Sequence, residues 1–198
     1  MNGIIITAGL SSRMGELKAL LKYNDKSFLE NIVIKLEMIC SKIVIVTGYK
    51  KDEIENHLIN FDQKYKSKIE IVYNPNYELG MFTSLKKGLQ LCKSDWIIYH
   101  FIDQPNLPNE FYSDFINQKN KSYNWIQPIN KGRKGHPILF DKKVVKKIID
   151  SEDNSTLRII SKSNEINKYF YDCDYKEIFT DIDTTNDYEK LKREENEN

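Results

Sequence analysis

The sequence of 198 residues lacks several features that would assign it to common protein classes. It has only three cysteines, Cys40, Cys92 and Cys173, which are widely spaced and form no Cys-x-x-Cys pair. Because an odd number of scattered cysteines is a poor basis for a disulfide framework or a zinc site, we expect reduced thiols and a cytoplasmic protein. A strand pattern begins within the first few residues, so we also expect no signal peptide.

Long hydrophobic runs and an excess of one charge are missing too. No stretch of about 18 apolar residues occurs, so we expect no membrane-spanning helix. The chain carries 30 lysines and arginines against 29 acidic residues, and this balance gives no reason to expect nucleic acid or an anionic membrane as a partner. No serine or cysteine has a histidine and a carboxylate at suggestive spacing, so a covalent acyl mechanism has no support.

What the sequence does contain is a regular alternation of strand and helix patterns. Short apolar runs at 3–6, 42–47, 68–73 and 95–102 alternate with segments of helical periodicity. The alternation predicts parallel β-α-β units and an α/β fold, a three-layer α/β/α sandwich around a mostly parallel sheet. The length predicts one domain over 1–198, with a first half of about 1–105 and a second of about 106–190.

Two local patterns refine this prediction. Ser27 and Glu30 have the spacing of a capping box and predict the start of a helix. In the second half, 166–171 and 177–182 are interpreted as strands, with antiparallel pairing left open.

The first loop, from Thr7 to Lys18, has the composition of a polyphosphate site. It follows a buried strand and carries Gly9, Gly15, two serines and the cations Arg13 and Lys18. Glycines let the backbone approach phosphates, and N–H groups, hydroxyls and cations bind them. The spacing is neither that of a P-loop nor that of a dinucleotide-binding fingerprint. A glycine-rich turn that only joins a strand to a helix is the alternative.

The loop resembles the signature of the MobA-like nucleotidyltransferases, roughly L-A-A-G-x-S-S-R-M-G-x-x-K. Residues 6–9, 11–15 and 18 match it in order. The double serine is most similar to the molybdenum cofactor cytidylyltransferases, the branch that transfers CMP to molybdopterin. The resemblance implies a nucleotide-diphospho-sugar transferase type of fold, with the nucleotide-binding half first and the acceptor-binding half second. It implies catalytic roles for Arg13 and Lys18, and nucleotide binding by Thr7, Ala8, Gly9, Ser11, Ser12, Arg13 and Lys18.

Asp103 is the strongest single candidate for a metal ligand. It ends a buried strand just before Pro105, where a carboxylate can hold Mg²⁺ against the phosphates of a nucleotide. An aspartate that caps the next segment is the alternative. Asp103-Gln104-Pro105 resembles the G-D-x-P motif of the family, with Ile102 in place of the glycine. The resemblance implies that Asp103 binds magnesium and is catalytic.

A second carboxylate pair, Asp181 and Asp183, lies near the C-terminus. Residues i and i+2 of an extended segment point to the same side, so both could face one cation. An N-cap cluster before the last helix is the alternative. The segment resembles the C-terminal D-I-D-T-P-x-D of the family, with Thr185 in place of proline and Asp187 retained. The resemblance implies that Asp183, or less readily Asp181, is the second metal ligand.

Four further residues complete the predicted nucleotide site. Asn74, Gly80 and Ser84 follow the family pattern; Asn74 has the groups to read a base edge, and a helix beginning near Gly80 would favour anions. Gly48 follows Thr47 at a strand end. A turn and a cap are the alternatives for these positions.

The acceptor half offers fewer candidates. Gly135-His136-Pro137 matches the G-H-P motif of the cytidylyltransferase branch, and His136, beside Arg133 and Lys134, would help to hold an anionic acceptor. A structural histidine is equally open. Arg158 stands where the branch often has an arginine and would reach the same acceptor.

The resemblance therefore implies a Mg²⁺-dependent nucleotidyltransferase of the EC 2.7.7 type. It would transfer CMP from CTP to the terminal phosphate of molybdopterin, release pyrophosphate, and pass its product to a recipient molybdoenzyme. Two alternatives stay open: activation of a different phosphorylated acceptor, such as a sugar or alcohol phosphate, and a non-catalytic carrier of the molybdenum cofactor.

Overall fold

The computed structural model describes residues 1–10 and 14–196, so Ser11, Ser12 and Arg13 lie outside the described residues. The strands are β1 (Asn2–Ile6), β2 (Lys22–Tyr23), β3 (Lys26–Ser27), β4 (Lys42–Thr47), β5 (Ile69–Tyr73), β6 (Trp96–His100), β7 (Trp125–Asn130), β8 (Arg133–Lys134), β9 (Ile138–Asp141) and β10 (Lys168–Asp172). The helices are α1 (Phe28–Glu37), α2 (Lys51–Ile59), α3 (Gln63–Lys66), α4 (Met81–Leu89), α5 (Asn109–Ile116), α6 (Lys142–Asp150), α7 (Leu157–Ser161) and α8 (Thr185–Asn196).

A mostly parallel sheet forms the centre of the fold, as the sequence predicts. Its order is β10-β7-β9-β6-β1-β4-β5, and β8 pairs with β7. β1 is parallel to both β4 and β6, and β5 is parallel to β4. β9 is antiparallel to β6 and β7, between which it lies. Because β1, β4, β5 and β6 are parallel, their carboxyl ends meet at one edge of the sheet, where α/β proteins bind ligands.

Hydrophobic clusters cover both faces of this sheet. Ile5 packs with residues of α1 and α5, whereas Ile4 packs with residues of α4 and α6, and both isoleucines are fully buried. Successive side chains of a strand point to opposite faces, so a strand covered on both sides needs a continuous apolar run. The run from Ile4 to Ile6 therefore encodes the layered arrangement of helices, sheet and helices.

The local predictions have mixed outcomes. The predicted helix start is confirmed, because Ser27 Oγ accepts a hydrogen bond from the backbone N–H of Glu30, and α1 begins at the residue after Ser27. The strand predicted at 166–171 is present as β10, which is parallel to β7. The strand predicted at 177–182 is wrong. Lys176–Phe179 is a 3₁₀ turn, and the carbonyl of its buried Ile178 accepts hydrogen bonds from two loops rather than from a neighbouring strand.

None of the helices in the described ranges has the length and hydrophobicity needed to cross a membrane.

Candidate active site

The first loop leaves the sheet where β1 and β4 end. Thr7 continues their pairing, because both its backbone N–H and its Oγ1 donate to the carbonyl of Val46, at 2.8 and 3.0 Å. Ala8 then accepts a hydrogen bond from the backbone N–H of Tyr49 at 3.3 Å. These contacts fix the start of the loop against the end of β4.

A first cavity of about 370 Å³ opens above this edge of the sheet. Its volume is in the range of small-molecule sites, which is about 300–1,000 Å³. Six of the predicted nucleotide-site residues line it: Thr7, Ala8, Gly9, Lys18, Gly80 and Ser84. The structure therefore brings together loops that are separated by more than sixty residues in the sequence, as the prediction requires.

Gly48 lies behind the wall of the first cavity. A Cβ atom at this position would lie 2.6 Å from the Cβ of Tyr77 and 2.8 Å from the Cβ of Ala8. Both neighbours line the first cavity. Only glycine allows these two residues to approach each other across the end of β4.

Asn74 is also buried behind the cavity rather than in its lining. Its Nδ2 donates to Thr83 Oγ1 at 3.0 Å and to Ser84 Oγ at 2.9 Å, and its Oδ1 accepts from the N–H of Asn76 at 3.1 Å. The amide thus ties the end of β5 to the first turn of α4. In this structure Asn74 positions Ser84, and its polar groups are engaged within the protein.

Three carboxylates gather at one side of the first cavity. Asp103, Asp181 and Asp183 each place an oxygen within 4.8 Å of the others. The Lys18 ammonium donates to Asp183 Oδ1, and its Nζ lies 3.9 Å from Asp103 Oδ2. The structure thus brings the predicted loop cation to two of the three predicted metal ligands.

The spacing of the C-terminal pair follows from the residue between its members. Ile182 is buried in a cluster with Leu21, Phe28 and Leu191, and its N–H donates to the carbonyl of Asp103 at 3.3 Å. An extended segment anchored at its middle residue turns both flanking side chains away from the core. Ile182 therefore sets Asp181 and Asp183 beside Asp103.

The cap of α8 uses neighbouring residues instead of the predicted metal ligands. Asp187 Oδ2 accepts from the N–H of Asp183 at 3.3 Å, from the N–H of Thr184 at 2.9 Å and from Thr184 Oγ1 at 2.7 Å. The hydrogen bonds from Thr184 lower the pKa of Asp187. Thr184 and Asp187 therefore form the cap, and the side chains of Asp181 and Asp183 lie near Asp103.

The electrostatics of the carboxylates favour a bound cation. Burial raises the pKa of Asp103 to about 7, and the negative charge of Asp181 adds to that effect, while Lys18 opposes it. Carboxylate oxygens are the ligands that hard divalent cations prefer. A divalent ion would offset the repulsion among the three groups, so this donor set fits Mg²⁺ and forms a candidate divalent-metal site.

A second cavity of about 320 Å³ lies on the other side of the carboxylates. The three aspartates line it together with Phe101, Gln104, Arg133, Lys134 and His136. The centroid of the His136 ring lies 3.9 Å from that of Phe101, and the backbone N–H of His136 donates to the carbonyl of Ile178 at 3.0 Å. Arg133, Lys134 and His136 therefore line the same cavity as the three carboxylates.

The His136 ring carries no positive charge at this site. Burial lowers its pKa to about 4, although the negative charge of Asp181 opposes the shift. The ring is neutral at physiological pH, and its buried Nδ1 has no hydrogen-bond partner among the described residues. His136 can therefore contribute a hydrogen bond, whereas Arg133 and Lys134 supply the positive charge of the second cavity.

Arg158 is not brought to this site. It is exposed on α7 and is absent from the described residues that line the two cavities. The structure thus separates the two residues predicted to hold the acceptor.

Several apolar residues that line the first cavity were not predicted from the sequence. Leu10, Leu17, Ala19 and Met81 all line the first cavity. For Met81 the sequence holds a signal, because Met81 directly follows Gly80, near which a helix is predicted to begin. In the structure Gly80 has a positive φ of 111°, and Met81 is the first residue of α4. A glycine that turns the chain into a helix facing a ligand points to its neighbour as a lining residue.

The sequence also matches a known protein family. Residues 3–167 match the family model described as the MobA-like NTP transferase domain. The chain belongs to this family. The match covers the first loop, Asp103 and His136, and it ends before Asp181 and Asp183.

The chain is similar to two curated relatives and to one solved structure. It is 30% identical over 185 residues to the molybdenum cofactor cytidylyltransferase of Escherichia coli, covering 93% of this chain and 92% of the relative. It is 26% identical over 202 residues to a probable molybdenum cofactor guanylyltransferase of Bacillus mycoides, covering 97% and 96%. A nucleotidyl transferase of Methanothermobacter thermautotrophicus shares the fold, with a TM-score of 0.81, 18% identity and coverage of 99% and 97%.

Proposed function

We propose that this MobA-like protein transfers CMP from CTP to the terminal phosphate of molybdopterin and releases pyrophosphate. One observation carries the proposal: Asp183 lines both the first and the second cavity, and it pairs with Lys18 between them. A nucleotide in the first cavity and a phosphorylated acceptor in the second would meet at these charged groups.

The reaction needs positioning and charge stabilisation more than covalent chemistry. An oxygen of the acceptor phosphate attacks the α-phosphorus of CTP, and the bond from that phosphorus to the bridging oxygen breaks, so pyrophosphate leaves with the electron pair. The acceptor phosphate is ionised at neutral pH, and no general base is required. Lys18, and Arg13 in the same loop, would stabilise the charge that develops on the α-phosphate and the leaving group.

The role of the three carboxylates would be to bind the metal ion. Asp103, with Asp183 and Asp181, would hold Mg²⁺, which when bound neutralises charge on the triphosphate and on pyrophosphate. Lys18 keeps two of these carboxylates in place by its ion pairs. The loop from Thr7 to Ser12 and the first turn of α4 would bind the nucleotide, with Ser84 oriented by Asn74.

The choice of CTP rests on the double serine of the first loop and on the Escherichia coli relative, which is named a cytidylyltransferase. Both curated relatives are named for the molybdenum cofactor, and this supports molybdopterin as the acceptor. We assign the nucleotide to about 1–105 and the acceptor to about 106–190 of a single domain. A recipient molybdoenzyme and a cytoplasmic location are parts of the same proposal.

A pyrophosphate-release assay tests it. Each of the four NTPs is offered with molybdopterin, a sugar phosphate or an alcohol phosphate, with and without Mg²⁺. We expect release with CTP and molybdopterin in the presence of Mg²⁺. Pyrophosphate release that requires GTP would overturn the assignment of CMP as the transferred group. Pyrophosphate release with a sugar phosphate or an alcohol phosphate would support activation of a different phosphorylated acceptor.

The carrier alternative makes a different prediction. A protein that only carries finished cofactor should bind molybdopterin cytosine dinucleotide without binding CTP. A thermal-shift titration separates the two cases, because a ligand at about 100 times its Kd stabilises the native state by roughly 2.7 kcal/mol. A shift with CTP that grows with Mg²⁺ favours the enzyme.

A further inference from the structure

The loop 101–105, which carries Asp103, is held through its backbone carbonyls. The carbonyl of Phe101 accepts a hydrogen bond from the backbone N–H of Gln104 at 3.4 Å. The carbonyl of Asp103 accepts one from the N–H of Ile182 at 3.3 Å. The first contact closes the loop on itself, and the second ties it to the C-terminal segment.

A further tie comes from Lys35 of α1, whose ammonium donates a hydrogen bond to the carbonyl of Pro105. Lys35 lies three residues after the fully buried Ile32, and residues at this spacing share one face of a helix. The lysine is thus on the side of α1 that packs on the core, where an apolar residue is expected.

The position of Lys35 is unfavourable for an ammonium group. Burial lowers the pKa of Lys35 to about 8, so the group stays mostly protonated at neutral pH. Among the residues that the structure describes, no carboxylate forms an ion pair with it. A charge that leaves water without an opposite charge reduces stability. What the lysine supplies in return is a donor for the carbonyl of the buried Pro105, two residues from Asp103.

A buried pair of side chains holds the other end of the same loop. His100 Nδ1 lies 2.8 Å from the carbonyl oxygen of Phe101, and His100 Nε2 lies 2.6 Å from the hydroxyl of Tyr112 on α5. A carbonyl oxygen accepts and never donates, so Nδ1 carries the proton and Nε2 accepts from Tyr112. Both side chains are fully buried. The loop is therefore tied to α1 at one end and to α5 at the other.

We propose that Lys35 is a positioning residue for Asp103, acting through the carbonyl of Pro105, and that the His100–Tyr112 pair supports the loop from its opposite end. The inference rests on the proposed function, because it takes Asp103 as a ligand of the divalent metal. Neither Lys35 nor Tyr112 lines the first or the second cavity, so neither would touch the nucleotide or the acceptor. Groups that orient a metal ligand typically account for about 10–100-fold in metal affinity.

Titration of Mn²⁺ into the full chain tests the inference, because the electron paramagnetic resonance signal of the free ion falls as the ion binds. Lys35→Met keeps most of the apolar stem and removes the donor. Lys42→Met is the matched control. Lys42 also donates to a backbone carbonyl, that of Leu91 at 3.2 Å, but it begins β4 and so lies at the opposite edge of the sheet. We expect Kd for Mn²⁺ to rise about tenfold in Lys35→Met and to stay unchanged in Lys42→Met.

Thermal unfolding separates positioning from a purely structural role. Lys35→Met removes a buried ammonium, which favours the fold, and takes a donor from the carbonyl of Pro105, which disfavours it. Because the two effects oppose each other, we expect a melting temperature within about 3 °C of the wild type, together with weaker Mn²⁺ binding. Tyr112→Phe removes one hydroxyl at the other end of the loop. It should also raise Kd for Mn²⁺ while its circular dichroism stays native.

Equal Kd values for Mn²⁺ in the wild type and in folded Lys35→Met would overturn the inference. A Lys35→Met protein that does not fold would overturn it too, since the lysine would then serve the fold. An unchanged Kd in folded Tyr112→Phe would remove the His100–Tyr112 pair from the account. Pyrophosphate release from CTP in the same samples reports on the proposed transfer. Its absence in the wild type would overturn the proposed function, while weaker Mn²⁺ binding in Lys35→Met would still support positioning.

Discussion

Lys18 and Asp183 form a partly buried ion pair that joins the first loop to the C-terminal segment. The same ammonium lies 3.9 Å from Asp103, in the loop that follows β6. One lysine thus stands between two carboxylates that would otherwise repel each other. The cation of the phosphate loop and the candidate metal ligands form a single unit, although they are far apart in the sequence.

Replacing Lys18 should therefore impair turnover more than folding. We expect Lys18→Met, which keeps most of the apolar stem, to lower kcat by about 10²–10³, the usual effect of removing one group that stabilises transition-state charge. Steady-state pyrophosphate release measures kcat, and circular dichroism checks the fold. Lys22→Met, at an exposed position in the β2–β3 hairpin, is the control. A folded Lys18→Met protein with normal turnover would remove Lys18 from the mechanism.

Magnesium affinity should depend on pH through Asp103. Burial and Asp181 raise the pKa of Asp103 to about 7, so a proton competes with the metal below that pH. The ionised fraction rises with pH, and we expect Mg²⁺ to bind about tenfold more tightly near pH 8 than near pH 6. Calorimetric titration measures this. Asp103→Asn should bind Mg²⁺ weakly at both values, and an equally steep pH dependence in that variant would place the titrating group elsewhere.

Asn74 should matter for stability and, through Ser84, for nucleotide binding. Asn74→Ala leaves the hydroxyls of Thr83 and Ser84 and the N–H of Asn76 without their present partner. We expect a loss of about 2–3 kcal/mol in the free energy of unfolding, measured by urea denaturation, and a higher KM for the NTP. Asn76→Ala, at an exposed neighbour, should change neither quantity. A raised KM without any loss of stability would instead indicate direct contact between Asn74 and the nucleotide.

Gly48 should not tolerate a side chain. In Gly48→Ala the new Cβ would lie 2.6 Å from Tyr77 and 2.8 Å from Ala8, so the wall of the first cavity must shift. We expect a destabilisation of about 1–3 kcal/mol, typical of overpacking, with weaker NTP binding. Gly9→Ala is the control for stability, because, apart from its chain neighbours, no described residue has an atom within 4 Å of the position that its Cβ would occupy. Unchanged stability and NTP affinity in Gly48→Ala would show that Tyr77 and Ala8 can move to accommodate the methyl group without cost, which would contradict this prediction.

The architecture could be predicted because its signals are local. The uninterrupted run of isoleucines in β1 requires cover on both faces, and the alternation with helical segments implies parallel strands. It could also be predicted that Asp181 and Asp183 point to the same side, because Ile182 between them is the apolar residue that is buried in the core. These are consequences of strand geometry that a single sequence displays.

What could not be predicted depends on contacts between distant segments. The segment around Ile178 has a strand-like composition, but its carbonyl is bound by His136 and Gln104, and a 3₁₀ turn results. The neutrality of His136 follows from burial that no local pattern reveals. Asn74 has an amide that could recognise the edge of a base, but in the fold this amide donates hydrogen bonds to the hydroxyls of Thr83 and Ser84. Arg158 matched a family position, but its helix holds it at the surface.

The transfer of label from CTP tests the central claim most directly. The protein is incubated with molybdopterin, Mg²⁺ and CTP labelled at either the α- or the γ-phosphate, and the products are separated. We predict that the α-label moves into a molybdopterin dinucleotide and that the γ-label appears in pyrophosphate, with both signals lost in Asp103→Asn. An α-label that remains in CTP, or that is recovered only as free CMP, would contradict nucleotidyl transfer to molybdopterin.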